Sequence, residues 1–271
     1  MSDGLKTELA IGGHGEKDDP IAEAQARQAN LAQFFLGDPQ GWKAPTVAYE
    51  GGAAALRAAA EAAGITLYVH APYVLNVATS NNRIRIPSRK LLQQTVTLAA
   101  EVGAAGVIVH GGHGLKDDDP ELGFDNWRKC VDRLDAPVPI LIENTAGGDN
   151  AMARRLDRIA RLWDAIGQAE GGDRVGFCLD TCHAFAGGED LDGVVDRVKA
   201  ITGRVDLVHA NNSRDGFNSG ADRHANFPTG EIAGESLLHV ITSAQAPVIV
   251  ETPGGREGQA ADIAWIRDHL A

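Results

Sequence analysis

Cysteine is scarce in this chain. Three residues, Cys130, Cys178 and Cys182, occur among 271, an odd and sparse set that excludes a disulfide framework and points to reduced thiols in the cytosol. Long apolar runs are also missing. The longest stretches fall far short of the roughly 20 residues that a membrane span needs, so no membrane partner is expected. Met1 to Leu9 contains Asp3, Lys6 and Glu8 and no apolar h-region, so no signal peptide is read and a cytoplasmic location is expected. The Gly-x-Gly-x-x-Gly spacing of dinucleotide sites is absent, and pieces such as Gly12-Gly13-His14-Gly15 read as loop glycines. Neither a Gly-x-Ser-x-Gly elbow nor a Cys-x-x-Cys pair occurs. Positive charge is short too. Lys and Arg number 25 against 37 Asp and Glu, and the resulting formal charge of −12 speaks on its face against a nucleic-acid partner.

What the chain does have is apolar material, 44% of its residues, arranged in alternation. Short runs rich in β-branched residues read as strands at 9–12, 31–36, 66–70, 106–110, 139–143, 175–180, 205–209 and 247–251. Segments of helical period follow at 21–29, 53–63, 89–102, 125–134, 152–168, 191–201, 235–244 and 261–270. Most of the strands are apolar throughout, as a parallel sheet buried on both faces requires. Repeated strand–helix units with right-handed crossovers predict a (β/α)₈ TIM barrel, α/β in class, as one domain over residues 1–271. An open doubly wound sheet is the alternative. The acidic run Asp117–Asp119 reads as a solvated turn.

The chemistry lies where the strands end. His70, His110, Glu143, Asp180, His209 and Glu251 close apolar runs, while His183 and the pair Asp222 and His224 follow soon after. A TIM barrel gathers such ends at one face, where its active sites form. Imidazoles and carboxylates at matching depth make a nitrogen–oxygen ligand set suited to Zn²⁺ or Mn²⁺. A single histidine there reads as a hydrogen-bonded structural residue; so many strands ending alike do not. Asp222 and His224, two apart, share a face of an extended segment. Cys178 has the parity of Asp180 and reads as a small core residue inside the barrel. Cys182, beside His183, reads as core or as a further ligand. His113 and His14 read as loop histidines, each with a substrate contact as the alternative. His239 and His269, on predicted helices, read as structural or solvated.

Several longer motifs carry a resemblance: His70-Ala-Pro-Tyr-Val-Leu-Asn, Ile142-Glu-Asn-Thr-Ala-Gly-Gly, Cys178-Leu-Asp-Thr-Cys-His-Ala-Phe-Ala-Gly-Gly, Asp222-Arg-His and Phe35-Leu-Gly-Asp-Pro-Gln-Gly-Trp. Along nearly its whole length the chain resembles the endonuclease IV (deoxyribonuclease IV) family of zinc-dependent abasic-site endonucleases, actinobacterial members foremost. The resemblance implies three Zn²⁺ per chain, with Mn²⁺ as a substitute. His70, His110 and Glu143 would hold the first, Glu143 would bridge to a second completed by Asp180, His209 and Glu251, and His183, Asp222 and His224 would hold the third. It also implies metal-assisted hydrolysis 5′ to an abasic site in double-stranded DNA, leaving a 3′-hydroxyl and a 5′-deoxyribose phosphate, with 3′-end trimming as a second activity. Glu143 would be the catalytic residue and the enzyme a monomer. Three divalent ions would offset half of the formal charge of −12 and turn the field at the cleft positive.

In the family, loops after the second and third strands enter the duplex and help to flip out the lesion, whose missing base makes extrusion cheap. Tyr73 and Val74 match the wedging position, with Trp42 and Gln40 in the other loop. Gln40 stands where some members carry an arginine. Arg83, Arg85, Arg89 and Lys90 form a basic group that reads as phosphate contacts or as a solvated helix start. Two departures lie near the third ligand group: Asn212 replaces an aspartate, and Phe227-Pro-Thr-Gly replaces Leu-Gly-x-Gly. If the aspartate accepts from a ligand imidazole, Asn212 would hold the ion there more weakly; alternatively its carbonyl oxygen makes the same bond. The other readings are a metal-dependent sugar isomerase or epimerase of the xylose isomerase-like barrels, which uses one or two ions, and a damage-binding protein without turnover.

Overall fold

The structure, a computed structural model, describes residues 9–148 and 150–270. The reading of Met1 to Leu9 as free of a signal peptide falls, Leu9 apart, outside them. Among the described residues eight parallel strands close into a ring with helices outside, the TIM barrel expected. Its strands are β1 (Ile11–His14), β2 (Leu31–Phe35), β3 (Thr66–His70), β4 (Gly106–His110), β5 (Ile140–Glu143), β6 (Gly176–Asp180) and β7 (Leu207–His209). A two-stranded hairpin, β8 (Asn212–Ser213) and β9 (His224–Ala225), precedes the closing strand β10 (Val248–Val250), which pairs with both β7 and β1. The helices are α1 (Pro20–Ala26), α2 (Gly52–Ala63), α3 (Asn82–Glu101), α4 (Pro120–Val131), α5 (Leu156–Ile166), α6 (Thr181–Gly187), α7 (Val194–Thr202), α8 (Gly234–Ala244) and α9 (Gly255–Leu270).

Alternation along the strands divides the core in two. Leu31, Tyr68, Ile108, Leu141, Cys178, Leu207 and Ile249 fill the barrel interior, so Cys178 takes the place read for it. Residues of the other parity, among them Phe34, Val69, Val107, Ile142, Phe177 and Val208, pack outward with Leu92, Trp127 and Leu162 from the helices. Each such large side chain contributes roughly 1.5–3 kcal/mol by leaving water.

Several boundaries depart from expectation. Strand β1 runs past the expected 9–12 to take in Gly13 and His14, both read as loop: a Cβ on Gly12 would stand 2.0 Å from the Leu31 carbonyl oxygen, so glycine is what lets β1 lie against β2. Helix α3 begins well before residue 89, capped by Asn81, and accommodates Pro87 inside. Asp119 caps α4 with Pro120 in its first turn, a pairing that makes a start signal. Asp118 accepts from the Ser80 hydroxyl at 2.6 Å and the Leu115 amide at 3.0 Å, so the acidic run is a fastened turn and not merely a solvated one.

Candidate metal centre

Strand parity builds the site. Two positions beyond the interior layer each strand points inward again. From Leu31, Tyr68, Ile108, Leu141, Cys178, Leu207 and Ile249, that step lands on Gln33, His70, His110, Glu143, Asp180, His209 and Glu251. Register keeps neighbours level, His110 beside Glu143 and Asp180 beside His209.

The two further pieces come from local structure. Asp180 caps α6, its Oδ1 accepting from the His183 amide at 2.7 Å, so the turn delivers His183 three residues later. The hairpin β8–β9 sets His224 opposite Ser213 and brings Asp222 with it. Neither element was anticipated. A seven-residue helix that is nearly all buried shows no amphipathic period, and a two-residue strand shows no alternation.

All nine side chains named from the strand ends converge. Ligand atoms lie within 4.8 Å of one another in each of three groups, the first two sharing Glu143: His70, His110 and Glu143; Glu143, Asp180, His209 and Glu251; His183, Asp222 and His224. Glu143 is fully buried at the centre. One carboxylate oxygen lies 3.3 Å from Nε2 of both His70 and His110; the other lies 3.0 Å from His209 Nδ1 and 3.2 Å from His183 Nδ1. Cys182 forms a further group with Asp180 and His224. Burial and the nearby Asp180 push its thiol up to about 12.

Second contacts orient the imidazoles. Backbone carbonyls accept from Nδ1 of His70 (Ala71, 2.7 Å), His183 (Asn144, 2.9 Å) and His224 (Glu251, 3.3 Å). With the proton held there, each ring aims an Nε2 lone pair into the site. Nε2 of His183 and of His224 is buried and finds no hydrogen-bond partner among the described residues. Yet Asp222 Oδ1 stands 2.9 Å from the first and 3.5 Å from the second. Lone pairs facing carboxylate oxygens repel unless a proton or a metal cation lies between them. The electrostatics agree. Burial alone would lower His183 and His209, yet Asp180, Asp222 and Glu143 around the first, and Cys178, Glu251 and Glu143 around the second, hold both well above the ordinary imidazole range. Burial alone would raise Glu143 and Glu251, yet His209 and neighbouring imidazoles hold both well below the usual carboxylate range. This pocket demands positive charge, and its nitrogen–oxygen donors fit zinc or manganese.

A cleft of about 480 Å³ opens beside the cluster, lined by Trp42, Tyr73, Val74, Ile84, His110 and His113 among others. Trp42 and Tyr73 are 47% and 46% exposed, unusual for large aromatic side chains. The Tyr73 amide donates to the Pro39 carbonyl at 2.8 Å, which ties the loops after β2 and β3 together. Gln40 lies exposed on the first of these loops, outside the cleft lining. The basic group is dispersed. Arg83 is exposed, but Arg85 donates to the Thr79 and Ser80 carbonyls and to Asn82, and Arg89 donates to the Asn126 carbonyl at 2.7 Å. Neither Arg83 nor Arg85 lines the cleft.

Asn212 corrects an expectation. Its side chain meets no imidazole among the described residues. Nδ2 donates to the carbonyls of Phe227 and Ile232, both at 3.0 Å, and Oδ1 accepts from the amides of Ser213 at 2.7 Å and Ile232 at 2.8 Å. An aspartate could not donate to those carbonyls. The two departures from the family pattern are therefore one feature: Asn212 fastens the turn that Phe227 and Pro228 begin. Gly230 completes it, since a Cβ there would stand 2.1 Å from Asn212 Cγ.

Three polar residues were missed. Gln33 is wholly buried among His14, Glu251 and His209. Asn211 donates to Asp180 Oδ2 at 2.7 Å and accepts from the Glu251 amide at 2.7 Å. Asn144 exchanges bonds with the Asp180 backbone. A lone amide in an otherwise apolar strand, at ligand parity, was the available signal for Gln33.

Comparison with known proteins places this geometry. A family model described as a xylose isomerase-like TIM barrel matches residues 21–269. The chain is 54% identical over 260 residues to the probable endonuclease 4 of Mycobacterium tuberculosis, covering 96% of this chain and 98% of that one. The crystal structure of endonuclease IV from Thermus thermophilus superposes with a TM-score of 0.83 at 30% identity, over 96% of this chain and 98% of that one. A D-tagatose 3-epimerase-like protein superposes at 0.77 with 15% identity over 97% of both chains, a likeness of fold alone.

Proposed function

Since this chain belongs to the endonuclease IV family of the xylose isomerase-like TIM barrels, we propose that it is a DNA-repair enzyme that hydrolyses the phosphodiester bond 5′ to abasic sites. The products are a 3′-hydroxyl and a 5′-deoxyribose phosphate, and the same site trims blocked 3′ ends. The observation that carries this reading is the convergence of nine nitrogen and oxygen donors in three groups around Glu143.

In this reading His70, His110 and Glu143 hold one Zn²⁺, Glu143, Asp180, His209 and Glu251 a second, and His183, Asp222 and His224 a third, with Mn²⁺ able to substitute. Bound there, the ions supply Lewis acidity, a lowered water pKa and neutralisation of phosphate charge. The chain supplies everything else. Glu143 has both oxygens in use, which couples two groups. Asp180 uses Oδ1 to cap α6, and its Oδ2, held by the Asn211 amide at 2.7 Å, keeps a further lone pair for the site. Without cations the buried carboxylates would repel a phosphodiester, so substrate binding depends on the loaded centre. Tyr73, Val74 and Trp42 wedge the duplex at the lesion, where lack of a base lowers the cost of extrusion. Gln40, Arg83 and Arg85 lie further out, and of these Gln40 and Arg83 reach the backbone more readily than the internally bonded Arg85. The enzyme acts as a monomer in the cytoplasm, at the nucleoid. No helix among the described residues is long and apolar enough to cross a membrane.

The test uses zinc-loaded protein and a duplex carrying one abasic analogue. A cut only on the 5′ side of the lesion, leaving a 3′-hydroxyl, with close to three zinc per chain by elemental analysis, supports the proposal. Turnover of a ketose with no incision would favour the sugar-isomerase reading, and a consistent zinc content of one or less after reconstitution would refute the three-ion centre.

A further inference from the structure

Gln33 sits at the parity of the ligands but offers no charge. Its amide nitrogen donates to Glu251 Oε1 at 2.7 Å and lies 2.9 Å from His14 Nδ1. Its carbonyl oxygen lies 2.8 Å from His209 Nε2. The amide can take only one orientation, because the reverse would set two oxygens against each other at Glu251. His209 Nε2 must then donate to Gln33, and His14 Nδ1 must accept from it.

Proton placement follows for the whole chain of contacts. A proton fixed on His209 Nε2 leaves Nδ1 as the lone-pair nitrogen, and Nδ1 lies 3.0 Å from Glu143 Oε1 and 3.3 Å from Glu251 Oε2. Three acceptor atoms then converge on one point. At the same time Gln33 engages one Glu251 oxygen, leaving Oε2 turned toward that point. From this geometry we infer that Gln33 is a positioning residue: it selects the His209 tautomer and aims Glu251, and so prepares the Glu143, Asp180, His209 and Glu251 group to take its cation. His14, backed by Phe35 at 4.5 Å between ring centroids, steadies the amide from the other side. The inference rests on the metal-centre reading above. Where His70, His183 and His224 are oriented by backbone carbonyls, His209 depends on a side chain, which a single substitution removes. Outer contacts of this kind typically govern 10–100-fold in metal affinity.

The test begins with zinc-loaded wild-type protein labelled with ¹⁵N-histidine. Two-bond ¹H–¹⁵N spectra should show His209 protonated at Nε2, and a proton at Nδ1 instead would overturn the inference without any variant. In Gln33→Met, which keeps volume and removes every bond, zinc should leave to a chelator at least about tenfold faster for one ion of the set. The protected Nε2 proton signal of His209 should vanish as well. Unchanged release with an unchanged His209 signal would sink the role of Gln33 while leaving the metal centre standing. Wild-type protein that binds no zinc would bring down the metal reading and this inference with it.

Discussion

Glu143→Gln tests the centre most directly. The substitution keeps shape in a site with no room, since Glu143 is fully buried, so the fold should survive. What it removes is one negative charge held against four imidazole nitrogens at 3.0–3.3 Å. A unit charge interaction at about 3 Å and an effective dielectric of about 20 amounts to roughly 5 kcal/mol. Some of this returns through the amide oxygen, leaving a loss of about 4 kcal/mol, or about 10³-fold in rate. Because Glu143 belongs to two groups, zinc content should fall as well, toward the ion held by His183, Asp222 and His224. Single-turnover incision of an abasic duplex gives the rate, elemental analysis the metal, and circular dichroism the fold. Incision within about tenfold of wild type, with full zinc content, would refute the reasoning.

Three further outcomes are expected. Asn212→Asp should lower stability by about 2–4 kcal/mol, because a buried acid would face the Phe227 and Ile232 carbonyls without a donor; a denaturant midpoint at or above wild type would contradict the bonding described. Tyr73→Ala should weaken binding to an abasic duplex more than to an intact one in a fluorescence titration, and equal losses would make Tyr73 a packing residue. Glu23 offers a pH test. Burial raises its carboxyl, but Arg256 and Arg27 hold it below the ordinary range. Its stabilisation is therefore full above the ordinary carboxylate pKa and is lost as pH falls through the lowered value. Glu23→Gln should melt below wild type at neutral pH, with the gap closing as pH falls below the ordinary carboxylate range; a gap that persists in acid would mean Glu23 acts by packing alone.

The residues by themselves determined the architecture and most of the centre. Fully apolar strands alternating with helical period admit few arrangements other than a closed parallel barrel, and a histidine or carboxylate ending an apolar run has nowhere to go but its mouth. Period and strand-end chemistry are local, so they survive in one dimension. Tertiary structure decided what depends on partners distant in sequence. Gly13 proved to be strand, and glycine is required at Gly12 by the close approach of Leu31 and at Gly13 by Gln259 and Arg27. Asn212 turned from the imidazoles toward Phe227 and Ile232, and Arg85 toward its own loop, since each hydrogen bond goes to whichever group the fold brings near. Gln33 gained its role only when the barrel closed: its amide, bland in the sequence, then met Glu251 just beyond β10 and His209 at the end of β7, each more than 170 residues away along the chain.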